Sequence, residues 1–323
     1  KRKAAKGGRI SAEERASLLD AEDALGEAIG ADVRVRKAGD GVKAEILAEA
    51  AGVDPTDEDF TWDQMLDAAV KTGTIIAEQG NKYEGYMVWV NAMVLGAGGQ
   101  ILENNELGRD ADVTINSPEG REAAALIEKV SNSDAAQATL TTATEPESLA
   151  NFQTEDGGFM LNWPYVYAAF KTSIDVGSLD ASFLDDVAWA RYPRVNADEP
   201  SKPPLGGNNI AISKFSTKKA ESYEFVKCAM SPESEKINLL VNGSPAANGE
   251  VYDDDEVQEA VTMAELMRES INAAGPRPVT PFYGDVSASI QRTWHPSTEI
   301  DPDRTPAKSA VLIDEVMHDK RLL

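Results

Sequence analysis

The chain has 323 residues, 42% hydrophobic and 27% charged, enough for about two domains with a sizeable core and no disulfide or metal staple. Its net charge of -24 argues against nucleic acid as a partner, because phosphate binding needs Lys and Arg to displace counterions. The single cysteine, Cys228, can form no intrachain disulfide, and no run approaches the roughly 18 apolar residues of a membrane span.

The opening "KRKAAKGGRI" is basic, yet no apolar stretch follows, so neither a signal peptide nor a lipobox is read in it. "SAEERASLLDAEDALGEAI", residues 11–29, opens on a Ser cap with acids in its first turn. Its apolar stripe runs through Ala16, Leu18, Leu19, Leu25 and Ile29, which predicts a helix. "DVRVRKAGDGVKAEIL" alternates on both sides of a Gly-Asp-Gly turn and predicts a β-hairpin. Residues 1–50 thus form a small helix–hairpin–helix attachment, a unit that needs a partner surface.

Thr61 then caps a helix to about Lys71. "YMVWVNAMVLGAGG" is an apolar helix ending on paired glycines, and "SPEGREAAALIEKVSN" is a capped helix with Pro118 near its first position. A helix, a glycine turn and the short strand "FMLN" lead into "NWPYVY". "VAWARYP" and "NNIAISKFS" read as strands, and "KKAESYEFVKCAM", with Cys228 on a buried face, and "SPESEKINLLVN" as helices. "DDDEVQEAVTMAELMRESIN" reads as one long helix, and "TPAKSAVLIDEVMHDKRLL" closes the chain as another. Strands interleaved with helices make the fold class α/β.

Phosphate-cradling motifs are missing: there is no GxxxxGK[ST], and no GxGxxG follows a strand. His295 and His318 have no Cys or His partner at ligand spacing, so neither a metal nor a cofactor is expected. With 55 acidic residues, a pair of carboxylates is no evidence for a glycosidase. What stands out are aromatic–amide clusters outside helix cores. Trp163 and Tyr165 follow a strand. Glu84, Tyr86, Trp89 and Asn91 crowd a loop-to-helix start. Gly207 and Asn208 lie in "PLGGNN", and Arg277 and Tyr283 in the stiff "GPRPVTPFYGD". Singly, each reads equally well as a packed ring or a plain turn. Together they suit a carbohydrate site, where rings stack on the sugar's C–H face while amide, carboxylate and guanidinium groups bond its hydroxyls.

In order, "TWDQMLDAAVKTG", "YEGYMVWVNAMVLGAGGQIL", "INSPEGREAAALI", "NFQTEDGGFMLNWPY", "PLGGNNIAISKFSTKKAESYEFVKCAMSPES" and "RPVTPFYGDVSASIQ" resemble the family 1 extracellular solute-binding proteins, the sugar-binding subunits of bacterial ABC importers. The wording is most similar to actinobacterial disaccharide binders of the trehalose or maltose sort. The resemblance implies a two-lobed clamshell of the type II periplasmic-binding-protein kind, acting outside the cytoplasm, with an oligosaccharide ligand and the importer's membrane subunits as partners. It implies no enzyme activity. It also implies that Tyr165 is a stacking aromatic, that Trp163 stands in the place of a glycine, and that Glu84, Tyr86, Gly207, Asn208, Arg277 and Tyr283 line the site.

The first lobe looks incomplete. Residues 51–193 plus 250–323 form the main lobe and 194–249 a remnant of the other, while residues 1–50 faintly resemble the dimerisation end of ParB-type proteins. Two alternatives stay open: a glycosidase or transferase on an α/β scaffold, and a non-binding remnant that forms a homodimer through its first fifty residues.

Overall fold

The structure, a computed structural model, describes the backbone of residues 32–36, residue 52 and residues 54–323. The helix expected at 11–29, the second arm of the hairpin and the surface expected to dimerise lie outside the described residues.

A four-stranded mixed sheet in the order β2-β5-β1-β6 organises the molecule. Its strands are β1 (Asp32–Arg36), β2 (Ile75–Ala77), β5 (Gly157–Asn162) and β6 (Val187–Ala190), and β3 (Leu102–Glu103) pairs separately with β4 (Asp112–Val113). β2 runs parallel to β5, whereas β1 runs antiparallel to both β5 and β6, with Val33 opposite Leu161 and Ala190. This corrects the reading of 32–36 as one arm of an independent hairpin. Strand β1 lies inside the sheet, its backbone groups shared between two neighbours, as an alternating segment requires when a gap between strands is open to it.

Helix α1 (Trp62–Thr72) forms where the capping residues predict. The Thr61 hydroxyl accepts from the Gln64 N–H at 3.2 Å, and the Gln64 side chain accepts from the Thr61 N–H at 2.9 Å. Gly73, in the left-handed region at φ 67°, ends it. Its buried residues Trp62, Met65, Leu66 and Ala69 follow the spacing i, i+3, i+4, i+7. Thr61→Ala is expected to cost about 1 kcal/mol, the value of a lost N-cap, measurable as a lower urea midpoint.

Helix α2 (Glu84–Gly96) is apolar nearly all round and almost wholly buried, as such a helix must be. Helix α3 (Pro118–Ser131) is capped by Ser117. α4 (Glu145–Phe152) precedes β5 and α5 (Val166–Asp175) follows it; then come α6 (Lys219–Ala229), α7 (Pro232–Asn242), α8 (Asp255–Ala260), α9 (Ala264–Ala273), α10 (Tyr283–Trp294) and α11 (Thr305–Met317).

The main core centres on α1, α2, α3 and α10, with Trp62, Trp89, Trp294 and Tyr86 among its fully buried side chains. A second cluster joins Tyr167 to Leu239, Ala246, Val251, Tyr252, Val257 and Met267, so the boundary expected at residue 249 falls inside a packed unit.

Three expectations are corrected. "NNIAISKFS" forms no strand; its residues are mostly exposed, with Ile210 on the surface and, among the described residues, no strand paired with it. The long helix at 253–272 breaks at Val261, which is extended at φ -121° and ψ 91°. There the Ala260 carbonyl is taken by the Tyr167 hydroxyl at 3.3 Å and the Lys171 ammonium at 3.2 Å. Cys228 is exposed and not buried, because α6 buries none of its side chains.

Candidate functional site

Because β2 and β5 are parallel neighbours, both deliver their following loops to the same edge of the sheet, the edge where open α/β sheets place ligands. The loop after β2 carries Glu78, Gln79 and, further on, Glu84. The residues after β5 are Trp163, Pro164 and Tyr165. A buried amide network ties the two exits together. The Gln79 amide donates to the Leu161 carbonyl at 2.6 Å and to the Ser148 hydroxyl at 2.9 Å. The Asn162 amide donates to the same hydroxyl at 2.8 Å and to the Glu145 carbonyl at 3.1 Å. Gln137 donates to the Glu78 carbonyl at 2.6 Å. Each buried polar group with a partner here fixes a loop rather than costing stability.

Glu84 stands in the first turn of α2, where the helix dipole favours a carboxylate. One oxygen, Oε1, meets Arg277 Nη1 at 2.6 Å and accepts from the Tyr283 hydroxyl; the other, Oε2, accepts from the Ser287 hydroxyl at 2.5 Å. Gln291 donates to that hydroxyl in turn at 2.9 Å. The ion pair is half-open, with the Glu84 and Arg277 side chains 38% and 26% exposed. Burial chiefly, and then the bond to Glu84, holds the Tyr283 phenol well above its ordinary pKa, with Arg277 pulling the other way. The phenol is therefore a standing donor.

The loop carrying Arg277 is pinned from two sides. Gly275 donates to the Pro203 carbonyl at 2.8 Å and accepts from the Leu205 N–H at 3.2 Å, so "PPLGG" runs beside "GPRP". A Cβ at Gly275 would come within 2.4 Å of the tip of the Leu95 side chain, so a larger residue there would make that side chain on α2 shift.

Of the ten residues read from the sequence, Glu84, Arg277 and Tyr283 meet in one cluster. Gly207, at φ 134°, and Asn208 lie exposed on the loop that follows the Gly275 contact. Tyr165 is half-buried where β5 gives way to α5. Trp163 is only 5% exposed. Its indole N–H donates to Glu145 Oε1 at 3.3 Å, and it belongs to none of the hydrophobic clusters among the described residues.

Tyr86, Trp89 and Asn91 are buried. Tyr86 donates to the Trp294 carbonyl at 2.7 Å and Asn91 to the Pro276 carbonyl at 3.4 Å, while Trp89 stacks on Trp62. The spacing that places Glu84 at a helix start turns the following positions inward. Glu145 and Ser287 were not legible in the sequence, since acids and serines are common and only the fold sets these two beside Trp163 and Glu84.

A separate hollow of about 740 Å³, lined by Asp110, Asp112, Asp314, Glu315 and His318 among others, contains none of the ten. Among the described residues no group of His, Cys, Asp and Glu is arranged to hold a metal, and no helix is long and apolar enough to cross a membrane.

Residues 41–265 match the model of a family described as bacterial extracellular solute-binding protein. The chain belongs to that family. That family is one of solute-binding proteins, not of enzymes.

A Deinococcus radiodurans protein named as a probable ABC transporter-binding protein is 26% identical over 207 residues, which cover 62% of this chain and 45% of the relative. The chain thus spans about half the length of that curated relative. Among solved structures, the maltose-bound MalE3 of T. maritima is 23% identical with a TM-score of 0.73 over 91% of this chain and 71% of that one. The GacH receptor of Streptomyces glaucescens is 19% identical with a TM-score of 0.69, over 91% and 70%. The cyclic α-maltosyl-1,6-maltose binding protein of Arthrobacter globiformis is 18% identical with a TM-score of 0.65, over 90% and 71%. These likenesses establish the α/β binding-protein fold of two-lobed solute binders.

Proposed function

We propose that this solute-binding protein binds an oligosaccharide, a disaccharide of the maltose or trehalose kind, and delivers it to the membrane subunits of an ABC importer. The observation that carries the reading is the Glu84–Arg277–Tyr283–Ser287 cluster at the ligand edge of the sheet. It offers a guanidinium, a phenol and a carboxylate, half-exposed and held in register, as hydroxyl groups require. At the exit of the neighbouring strand Trp163 supplies a ring beside the Glu145 carboxylate, and Tyr165 follows two residues later. The named ligands of the similar structures, maltose and maltosyl-maltose among them, favour the same class.

Maltose and trehalose, titrated in a calorimeter and followed by thermal shift, test it. One of them is expected to bind and to raise the melting temperature by mass action. Arg277→Ala should abolish that shift. Trp163→Ala should weaken binding by about 1–3 kcal/mol, the scale of a buried anchor, roughly fivefold to 140-fold in Kd. A flat response to a full disaccharide panel sinks the reading.

A further inference from the structure

We propose that the buried carboxyl of Glu78 is a positioning residue of the ligand edge, a proton-operated latch that holds the loop after β2 against the exit of β5. The latch concerns these two loops alone; that a bound solute is released with them rests on the sugar reading above.

Three features of the fold carry it. The first is the carboxyl itself. Glu78 is 3% exposed, its Oε1 accepts the Gln79 N–H, and Oε2 has no partner among the described residues. Ionised, it would be a buried charge held by one hydrogen bond and paired with no cation among those residues, far costlier than a neutral acid. A proton turns Oε2 from an acceptor short of a donor into a donor. Gln137 Oε1, on the side chain that donates to the Glu78 carbonyl, is a second buried acceptor without a partner. This corner of the fold is short of donors, not of acceptors.

The second is what the carboxyl is wired to. Gln79, the next residue, donates to the Leu161 carbonyl and the Ser148 hydroxyl. Asn162 donates to the same hydroxyl, and its Oδ1 accepts the Trp163 N–H at 2.8 Å. The Trp163 indole donates to Glu145. Water can reach a charged Glu78 only if its loop lifts, and a lifted loop draws Gln79 away from Leu161 and Ser148. Trp163 then loses the scaffold that orients it.

The third is the set of groups that face it. Glu145, from α4, is a second acid, whose charge repels an ionised Glu78, while Glu147 on that helix is exposed. Strand β5 carries no titratable residue, and Asp63, Asp67 and Lys71 of α1 are exposed. Tyr192, just past β6, is a buried phenol held neutral chiefly by its burial and then by the charge of Glu78. Residues 135–143 carry no titratable side chain, but the Thr141 carbonyl is bonded to the His295 imidazole at 2.9 Å. His295 is therefore the rival source of a pH response.

Fluorine spectra decide between them. The full chain is labelled with 5-fluorotryptophan at its five tryptophans, and the Trp163 resonance is assigned by its loss in Trp163→Phe. In a titration from pH 5 to pH 9 that resonance is expected to shift in one proton step in the parent. In Glu78→Gln it should keep its low-pH position throughout. In Glu145→Gln the step should come at lower pH, because a repelling charge is gone. A Trp163 resonance that stays fixed in the parent overturns the latch. So does a step that survives in Glu78→Gln, which would belong to His295 or Glu145, and so does a joint move of all five resonances to their unfolded positions. Maltose titrated at pH 5 and pH 8 tests the link to the ligand: binding is expected to be about tenfold weaker or more at the higher pH in the parent and equal in Glu78→Gln. Affinity that ignores pH in a chain that binds maltose overturns that link. Absence of binding at both pH values fails the sugar reading, and the fluorine titration still decides the latch.

Discussion

Replacing Trp62 with alanine is expected to destabilise the protein by about 3–5 kcal/mol, the cost of emptying a large aromatic site in a close-packed core. Trp62 is fully buried. Its ring stacks on Trp89 with centroids 6.1 Å apart and meets the edge of Tyr192 at 5.8 Å. Tyr86 meets Trp89 edge-on in turn, so one deletion loosens three further rings, two on α2 and one just after β6. The backbone at this point also joins distant segments: the Trp62 N–H donates to the Arg194 carbonyl at 2.9 Å and the Arg194 N–H to the Phe60 carbonyl at 2.8 Å. A collapsed ring stack would disturb this junction beside β6 as well as the core. Trp62→Phe should cost much less, because the ring contacts largely survive and the indole N–H it removes has no acceptor among the described residues. Equilibrium unfolding in urea distinguishes the two. A loss below about 1 kcal/mol for Trp62→Ala would show that the stack relaxes into the gap, against the packing described.

Such a ring stack explains which parts of the molecule could be read in advance. Helices α1 and α3 were legible because their signals are local: Thr61 and Ser117 lie within three residues of the N–H groups they cap. Strand β5 and the approach to Trp163 were legible for a similar reason, since paired glycines and an apolar run stand side by side in the chain. The inward turn of Tyr86 and Trp89 was not, because a helix start with rings and acids looks the same whether one face or both are covered.

The Glu84 cluster was half legible. Arg277 and Tyr283 announced themselves through their proline-stiffened loop, but their meeting with Glu84 spans separations of 193 and 199 residues, which no local pattern encodes. The exposed face of α6 was misread in the opposite sense. Apolar spacing in "ESYEFVKCAM" predicts a buried face, yet burial needs a partner surface, and this helix has no fully buried residue.

Glu78→Gln is expected to leave stability nearly unchanged at pH 4 and to stabilise the protein increasingly as pH rises. Glu78 ends up beside β2, 3% exposed. Its Oε1 accepts the Gln79 N–H at 2.9 Å, whereas Oε2 has no partner among the described residues. Burial holds its carboxyl well above the ordinary carboxylate range. The Gln79 N–H opposes that rise, and the nearby Glu145 carboxylate adds to it. The folded protein therefore keeps a proton that the unfolded chain releases near pH 4.3. Between that pH and the raised folded value the native state binds more protons than the unfolded one, so this group's contribution to stability falls as pH rises.

Glutamine, a neutral isostere of the protonated acid, removes the fall. The difference between variant and parent should widen by about 1.4 kcal/mol for each pH unit inside the window and level off above it. Glu145→Gln in the parent should bring that plateau to lower pH by removing the neighbouring charge. Urea titrations of the three proteins at pH 4, 6 and 8 make the comparison. A variant-minus-parent difference that stays flat across that range means Glu78 ionises as readily in the fold as in water, and that the buried edge of the site is wetter than its packing implies.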